Sequence, residues 1–346
     1  MRGRIAMLFL VVVVGWLWLD AGAQLNVVVR GAHRFERVAE GIYYTTASGT
    51  MTVGANSPVI VTDSDAMIID SQITPAAARA MVQDLKAVTD KPVRYVIDSH
   101  YHYDHSHGNQ IFGSDVQVIG HDNARKRMLG NVLEQYTYLT SIDPSRAATL
   151  KQRIGETSDA EQKAALERNL KNQLDYLQAV KEVKVTPPNL TVNSRIGLYR
   201  GGRELEIVYL GRGHTDTDLV VLLPKERIAM TGDLMESVIS YMGDSYPEEW
   251  IATLERLKGL EFDTVMPGHG VVFKGKDLIT AFQRYLRSFI DQTNKLRTAG
   301  VSADDAARRI DITAFSRDFP QIRGVGVDVA GVRRIYKLAQ EPEPAQ

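Results

Sequence analysis

The chain has 346 residues, of which 44% are hydrophobic, and its 41 lysines and arginines nearly balance its 42 aspartates and glutamates. This length allows one large domain or two modest ones with a substantial buried core, and the balanced charge does not favour a polyanionic partner such as nucleic acid. Because the chain has no cysteine, disulfide bonds and thiolate metal ligands are excluded.

The first 23 residues have the pattern of a secretory signal peptide. A basic start precedes an apolar run over residues 5–19, and Ala21-Gly22-Ala23 resembles a cleavage site. A membrane-spanning helix needs about twenty apolar residues, and this run is shorter and interrupted by Gly15. We predict export to the periplasm or the medium, a mature chain over residues 24–346, and no stable membrane insertion once the segment is cleaved. Whether cleavage occurs is left open.

Short β-rich runs alternate with turn residues between residues 41 and 70, which predicts an antiparallel meander. A helix is expected over residues 74–88, where Thr74 precedes Pro75 and apolar side chains recur at helical spacing. A buried strand is expected directly after it, over residues 93–98.

The second half of the chain repeats the order of strand followed by polar loop. Strands are expected over residues 206–210, 219–223, 228–231 and 264–266. Two regions instead have helical composition. Residues 122–187 are predicted to be a helical insertion, and residues 277–340 a C-terminal helical extension, both within a single domain.

Side chains able to bind metal follow the ends of four of these strands. They are His100, His102, Asp104 and His105 in the first loop, then His214, Asp233 and His269. Strand ends hold such loops firmly, while the loops themselves can carry polar side chains. The functional sites of open sheets therefore usually lie at the ends of strands. The alternative is that these are ordinary polar loop residues whose hydrogen bonds are made within the fold. Because so many groups able to bind metal occur together, a metal site is the better explanation.

These residues divide naturally between two divalent metal ions. One ion can take His100, His102 and His214, and the other can take Asp104, His105 and His269, with Asp233 bridging them; His102 and Asp104 thus belong to different ions. A water shared by two such ions is activated near neutral pH. Asp104 is also the predicted catalytic residue, which steers this water and transfers a proton. Imidazole and carboxylate suit zinc best, with iron and manganese left open.

The set His-x-His-x-Asp-His, Gly-His-Thr, Thr-Gly-Asp and Pro-Gly-His-Gly resembles the metallo-β-lactamase superfamily, in that order, over roughly residues 35 to 275. The resemblance implies an α/β fold, a four-layer αββα sandwich with a dinuclear site at one edge of its two sheets. It implies the same division of ligands as above. Dedicated β-lactamases of the family usually have cysteine or serine where this chain has Asp233, which favours a broader hydrolase.

We therefore predict an exported dinuclear metallo-hydrolase that attacks an ester, lactone, thioester or amide carbonyl of a small molecule with metal-activated water. Two alternatives stay open. One is a β-lactamase of the histidine and aspartate ligand type, and the other is a non-catalytic metal-binding accessory protein of the periplasm. The oligomeric state is not predicted.

Four residues near the motifs are candidate substrate contacts: Tyr101, Tyr103, Tyr241 and Met242. Packing inside the fold explains the first two equally well. Tyr136, Tyr138 and Leu139 of the insertion are candidate lid contacts, and the Gly49–Gly54 loop is a candidate cover for the site.

Four further polar residues lie outside this set of candidate ligands and contacts. Asp70 is expected either to accept a hydrogen bond that orients a metal ligand or to cap a turn. His107 is expected to be a solvated loop residue, and His33 and His121 are expected at the surface, because no other chemical group accompanies them in the sequence.

Overall fold

The computed structural model describes residues 26–130 and 141–340. The predicted signal segment at residues 1–23 lies outside the described residues, as do Tyr136, Tyr138 and Leu139. Within the described part, no helix combines the length and apolar character needed to cross a membrane.

The first sheet has eight strands that follow one another in chain order. They are Val27–Arg30 (β1), His33–Ala39 (β2), Ile42–Ala47 (β3), Ser57–Val61 (β4), Ala66–Ile69 (β5), Val93–Ile97 (β6), Gln117–His121 (β7) and Leu190–Val192 (β8). Strands β1 to β5 pair antiparallel, which confirms the predicted meander, and β5 to β8 pair parallel.

The second sheet has six strands in the order β14-β13-β12-β11-β10-β9. They are Arg195–Arg200 (β9), Arg203–Tyr209 (β10), Leu219–Leu223 (β11), Ile228–Gly232 (β12), Thr264–Pro267 (β13) and Phe273–Lys274 (β14). Among these six strands of the described residues, only β12 and β13 pair parallel. Since β10 and β12 both run antiparallel to β11, the carboxyl ends of β10, β12 and β13 meet at one edge.

The helices of the described residues are Pro75–Asp84 (α1), Tyr103–Ser106 (α2), Asp122–Leu129 (α3), Ser145–Glu156 (α4), Ala160–Val180 (α5), Pro247–Lys258 (α6), Asp277–Thr298 (α7), Ala303–Arg309 (α8) and Val329–Leu338 (α9). Helix α1 begins as predicted, because the Thr74 hydroxyl accepts a hydrogen bond from the Ala77 N–H at 3.1 Å. Helices α3 to α5 lie in the predicted insertion, and α7 to α9 lie in the predicted extension.

The two sheets face each other across an apolar core. Ile42 and Ile69 of the first sheet and Leu219 and Met230 of the second belong to this buried layer. Side chains at alternate positions, such as Ile68 in β5, instead pack against α1 on the outer face. A third cluster, built around Trp250, Phe282, Tyr285 and Phe289, joins the second sheet to α6, α7 and α9. These four layers confirm the αββα sandwich.

Candidate metal centre

All seven predicted ligands meet at the edge where the strands of both sheets end. The Asp233 carboxylate, just after β12, lies at their centre. Its Oδ2 is 3.3 Å from His105 Nε2 and 3.6 Å from Nε2 of His214 and His269. His100 Nε2 is slightly farther away, at 3.8 Å. One carboxylate is therefore shared by four imidazoles that come from both halves of the chain.

The ligands also separate into two groups on either side of this carboxylate. In the first group, the donor atoms of His100, His102 and His214 lie within 4.8 Å of one another, and His102 Nδ1 is 3.0 Å from His214 Nε2. The donor atoms of the second group are equally close, and its members are Asp104, His105 and His269. These two groups have the members that the sequence interpretation assigns to each ion, and two further close groups, His100 with His105 and Asp233 and Asp233 with Glu236 and His269, overlap them.

The donor set fits divalent cations. Within the described structure, the buried Nε2 atoms of His100 and His105 and the Oδ1 atom of Asp233 have no hydrogen-bond partner. Buried polar atoms normally have one, because an unpaired group costs free energy. Neutral imidazole nitrogens and carboxylate oxygens are also the ligands that zinc prefers in the absence of thiolate. Two cations would satisfy these atoms together.

The charges at the site favour the same interpretation. Burial lowers the pKa of His100 well below its ordinary value and lowers the pKa of His214 to about 3, so both imidazoles are neutral at pH 7. Burial acts in the same direction on His105 and His269, but the nearby Asp233 and Asp104 carboxylates, joined by Asp70 at His105, together outweigh it and raise the pKa values of both histidines. The carboxylates therefore give the group around His105 and His269 its negative charge. A bound cation would take the place of the protons that these two imidazoles otherwise hold.

Asp70 has the first of its two expected roles. Its carboxylate lies 2.8 Å from His105 Nδ1 and accepts hydrogen bonds from the backbone N–H of Ser99 at 2.7 Å and from the Ser99 hydroxyl at 2.9 Å. The Ser99 hydroxyl is in turn 3.0 Å from His100 Nδ1. Asp70 thereby orients two imidazoles at once, and its own backbone has the uncommon φ of 65°.

Two carboxylates that were not predicted from the sequence also contact the site. Asp244 Oδ2 is 3.1 Å from His102 Nε2, which leaves Nδ1 of that ring facing the other ligands. Glu236 is buried, and one of its carboxylate oxygens lies within 4.8 Å of the Asp233 and His269 donor atoms. Burial and the Asp233 charge raise the pKa of Glu236 well above its ordinary value. The sequence feature that could have identified Glu236 and Asp244 is their position in the loop directly after Asp233.

Replacing Asp244 with alanine should weaken metal binding without unfolding the protein. The carboxylate fixes the tautomer and orientation of His102, and removing such a partner typically lowers metal affinity about 10- to 100-fold. Competition with a chromophoric chelator measures this affinity. The matched control is Asp216→Ala, because Asp216 lies in the His214 loop yet pairs with Arg127 at 2.7 Å. Equal affinities in the two variants would refute this role of Asp244.

Gly268 leaves room for two of the ligands. A Cβ atom at this position would lie 2.2 Å from Asp233 Oδ1 and 2.9 Å from His105 Cε1, closer than van der Waals contact permits. We expect Gly268→Ala to displace Asp233 and to lower the metal content of the purified protein. Gly155→Ala is the control, since a Cβ there meets nothing within 4 Å. Full metal content in Gly268→Ala would show that the ligands tolerate this displacement.

A cavity of about 550 Å³ opens onto the metal centre. Tyr103 and Tyr241, two of the four candidate substrate contacts, line it together with Asp104 and His269. Tyr101 is not among its lining residues.

The other two candidates have their side chains in packed surroundings. Tyr101 is buried against Ala124 and Met128, and the Arg127 guanidinium lies 5.0 Å from its ring centroid. Met242 is buried in the core outside the second sheet, where it packs close to Gly331 of α9. Both side chains belong to loops that are themselves largely buried, and Met242 also lines a second cavity; a sequence pattern reveals neither arrangement.

Three histidines that were expected in solvent are buried instead. His33 is 1% exposed and its Nδ1 is 2.9 Å from Asp84 Oδ2. His121 stacks against Tyr209 with 4.2 Å between ring centroids, and burial lowers the pKa of His107 to about 4. For His33 and His121 the expectation was wrong because these partners are distant in the chain.

The loop after β3, which includes the predicted cover Gly49–Gly54, reaches the site through its backbone. The Ala55 N–H donates to the Asp104 carbonyl at 3.3 Å, and the Asn56 N–H donates to the Gly268 carbonyl at 2.7 Å. Gly54 has φ of 85°, and a Cβ there would lie 2.9 Å from the Asp104 carbonyl oxygen. The loop thus supports two segments that carry ligands.

Fold and site together define an αββα sandwich with a paired histidine and aspartate centre at one edge of its sheets. A family model described as the metallo-beta-lactamase superfamily matches residues 51–269. The chain belongs to this superfamily, whose members are hydrolases.

Solved structures show the same fold. A metallo-beta-lactamase from Pontibacter korlensis has a TM-score of 0.52 and 17% sequence identity, and the match covers 74% of this chain and 99% of that one. A metallo beta lactamase from Erythrobacter litoralis also has a TM-score of 0.52, with 15% identity over 75% of this chain and 99% of that one.

Curated relatives include a linear primary-alkylsulfatase of Pseudomonas sp. (strain ATCC 19151), which is 22% identical over 287 residues, or 78% of this chain and 53% of the relative. A metallo-beta-lactamase type 2 of Bacillus cereus is 35% identical over 78 residues, or 21% of this chain and 30% of the relative. The matches thus span about half or less of the length of these relatives.

Proposed function

We propose that the protein is an exported hydrolase with two divalent metal ions, most simply zinc, in which activated water attacks the carbonyl carbon of an ester, lactone, thioester or amide and the acyl bond to oxygen, sulfur or nitrogen breaks. The observation that carries this proposal is the Asp233 carboxylate shared by two groups of ligands. Bound at these groups, two cations would activate a water molecule near neutral pH and polarise the carbonyl oxygen. No serine or cysteine nucleophile is then required.

Asp104 is suited to orient the attacking water and to transfer its proton to the leaving group. It lines the cavity, and its Oδ2 lies 3.1 Å from His269 Nε2 and 3.6 Å from His105 Nε2. Burial tends to raise the pKa of Asp104, but these two histidines outweigh burial and hold that pKa well below its ordinary value. Asp104 is therefore a carboxylate at neutral pH, the form that accepts a proton.

The cavity supports a small-molecule substrate. Its volume of about 550 Å³ falls within the range of about 300–1,000 Å³ typical of small-ligand sites. Its walls combine the polar ligand side with Tyr103, Val238, Ile239 and Tyr241. The balanced charge of the chain gives no reason to expect a nucleic acid.

Two other hydrolytic activities are alternatives to the proposed one, and both are included in the experiment below. A β-lactamase is favoured by local matches such as the one to the Bacillus cereus enzyme, whereas Asp233 in place of cysteine or serine argues against it. A sulfate ester is the second candidate, because the match to the alkylsulfatase extends over 78% of this chain.

A substrate panel separates these activities. Protein reconstituted with zinc is assayed on aryl esters, a γ-lactone, an acyl thioester, nitrocefin, a carbapenem and dodecyl sulfate. We expect the highest kcat/KM on an ester, lactone or thioester. Efficient turnover of β-lactams alone, at about 10⁴ M⁻¹s⁻¹ or more, or of the sulfate ester alone, would overturn the proposed substrate class. Metal binding with no turnover would favour the non-catalytic accessory protein.

Export is tested separately, with the full chain. Expression in a bacterial host followed by fractionation should place the protein in the periplasm or the medium, with a mass that reports whether the first 23 residues are removed. Retention of the folded protein in the cytoplasm would contradict this part of the proposal.

A further inference from the structure

A second cavity adjoins the cavity at the metal centre. Its volume is about 490 Å³, and it shares Ile239, Tyr241 and Asp328 with the first cavity. The two therefore lie on either side of the same three residues. These three residues form the boundary that the two cavities share.

The second cavity is lined by apolar side chains from two parts of the chain, together with the polar side chains of Gln321, Arg323 and Asp328. The loop after β12 supplies Ile239 and Met242, and the segment over residues 321–327, just before α9, supplies Ile322, Val325 and Val327. Val325 is 60% exposed. Exposed apolar surface that forms a concave wall beside a reactive centre is typical of a ligand site.

The wall formed by residues 321–327 is held in place by hydrogen bonds to helix α8 and to the residue that follows it. The Gly326 N–H donates to the Ile310 carbonyl and the Val327 N–H donates to the Ala307 carbonyl, both at 2.9 Å. The next residue, Asp328, caps α9 by accepting a hydrogen bond from the Ala330 N–H at 2.9 Å. The cavity is thus preformed, so filling it requires little ordering of the protein.

We propose that this cavity binds an aliphatic chain of the substrate, which makes the substrate an amphiphilic ester or thioester. The proposal rests on the function proposed above and narrows its substrate class. The hydrolysable carbonyl lies at the metal centre, and the chain extends past Tyr241 along Ile322 and Val325. The favourable free energy comes from transfer of methylene groups out of water.

The first test is a chain-length series on the zinc-reconstituted protein. We expect kcat/KM for p-nitrophenyl esters, from acetate to decanoate, to rise by up to about fourfold for each methylene that leaves water, and to level off when the chain outgrows the cavity. Calorimetry with n-alkyl carboxylates of the same lengths should show a parallel fall in Kd. This second measurement does not depend on turnover.

Two variants with matched controls test whether the chain-length dependence of kcat/KM arises at this cavity. Gly324 lines the cavity, and a Cβ there meets nothing within 4 Å, so Gly324→Trp should fill the cavity and reduce the octanoate-to-acetate ratio of kcat/KM at least tenfold. Gly155→Trp, equally unobstructed, is its control. Val325→Asp should also reduce the ratio, whereas Val29→Asp, at the same 60% exposure, should not.

The outcomes distinguish this inference from the proposed function. Ester turnover without chain-length dependence, or a dependence that Gly324→Trp and Val325→Asp leave intact, would overturn the aliphatic site. Chain-length-dependent carboxylate binding without turnover of any ester would support the site while contradicting the proposed function. If Gly324→Trp fails to fold, the comparison of Val325→Asp with Val29→Asp decides.

Discussion

Replacing Asp233 with alanine is expected to lower kcat/KM about 10³-fold, equivalent to ~4 kcal/mol of lost transition-state stabilisation. The Asp233 carboxylate lies within 3.8 Å of His100, His105, His214 and His269. Without it, the two ligand groups lose the oxygen that joins them. We expect the metal content to fall to one ion per chain or fewer at the same time.

Steady-state kinetics on the best panel substrate and elemental analysis of the same samples measure both effects. Asp216→Ala serves as the control, because it removes a carboxylate from the neighbouring loop that pairs with Arg127 instead of the ligands. Wild-type turnover in Asp233→Ala would remove the bridging carboxylate from the mechanism. Lost turnover with two ions still bound would assign Asp233 a role other than metal binding.

Replacing Asp104 with asparagine is expected to reduce kcat by about 10²- to 10⁴-fold, the usual contribution of general acid–base catalysis. Asparagine keeps an oxygen near His105 and His269 but cannot accept a proton. Metal binding should weaken less than in Asp233→Ala, because two of the three members of its group remain. The expected signature is a loss of turnover that exceeds the loss of metal.

Asp104→Glu separates proton transfer from position. It retains the carboxylate but displaces it, so the metal should remain partly bound while most turnover is lost. Measurements at saturating zinc prevent low occupancy from lowering kcat. Unchanged kcat in either variant would refute the catalytic role of Asp104 and leave it as a ligand only.

The place of the candidate ligands could be predicted from sequence because they lie in loops that follow the carboxyl ends of strands. His100 follows β6, Asp233 follows β12 and His269 follows β13, and the parallel pairing of β12 with β13 brings the last two together. Strand β11 was predicted with its observed bounds, since all five of its residues are buried and apolar. Local pattern and chemistry agree at these positions.

Strands β2 and β9 were missed, since charged residues interrupt their apolar pattern. The sequence of β9 reads Arg-Ile-Gly-Leu-Tyr-Arg, and this strand lies at the edge of the second sheet. An edge strand buries less of its surface, so its hydrophobic pattern is weaker. The continuous apolar run that identified β11 was therefore absent.

Partners of the ligands depend on contacts between distant parts of the chain. Asp244 meets His102 across 142 positions, and His33 is buried against Asp84 across 51. No local pattern indicates either contact. The same limit explains why Tyr101 could be placed near the motif from sequence but not assigned to the neighbouring core.

The number of zinc ions bound per chain tests the central claim most directly. It is measured by elemental analysis of the wild-type protein after reconstitution and removal of loosely bound metal by gel filtration. Two groups of ligands that share Asp233 predict two ions per chain. A ratio of one or fewer in folded protein would contradict the dinuclear site and the mechanism proposed from it.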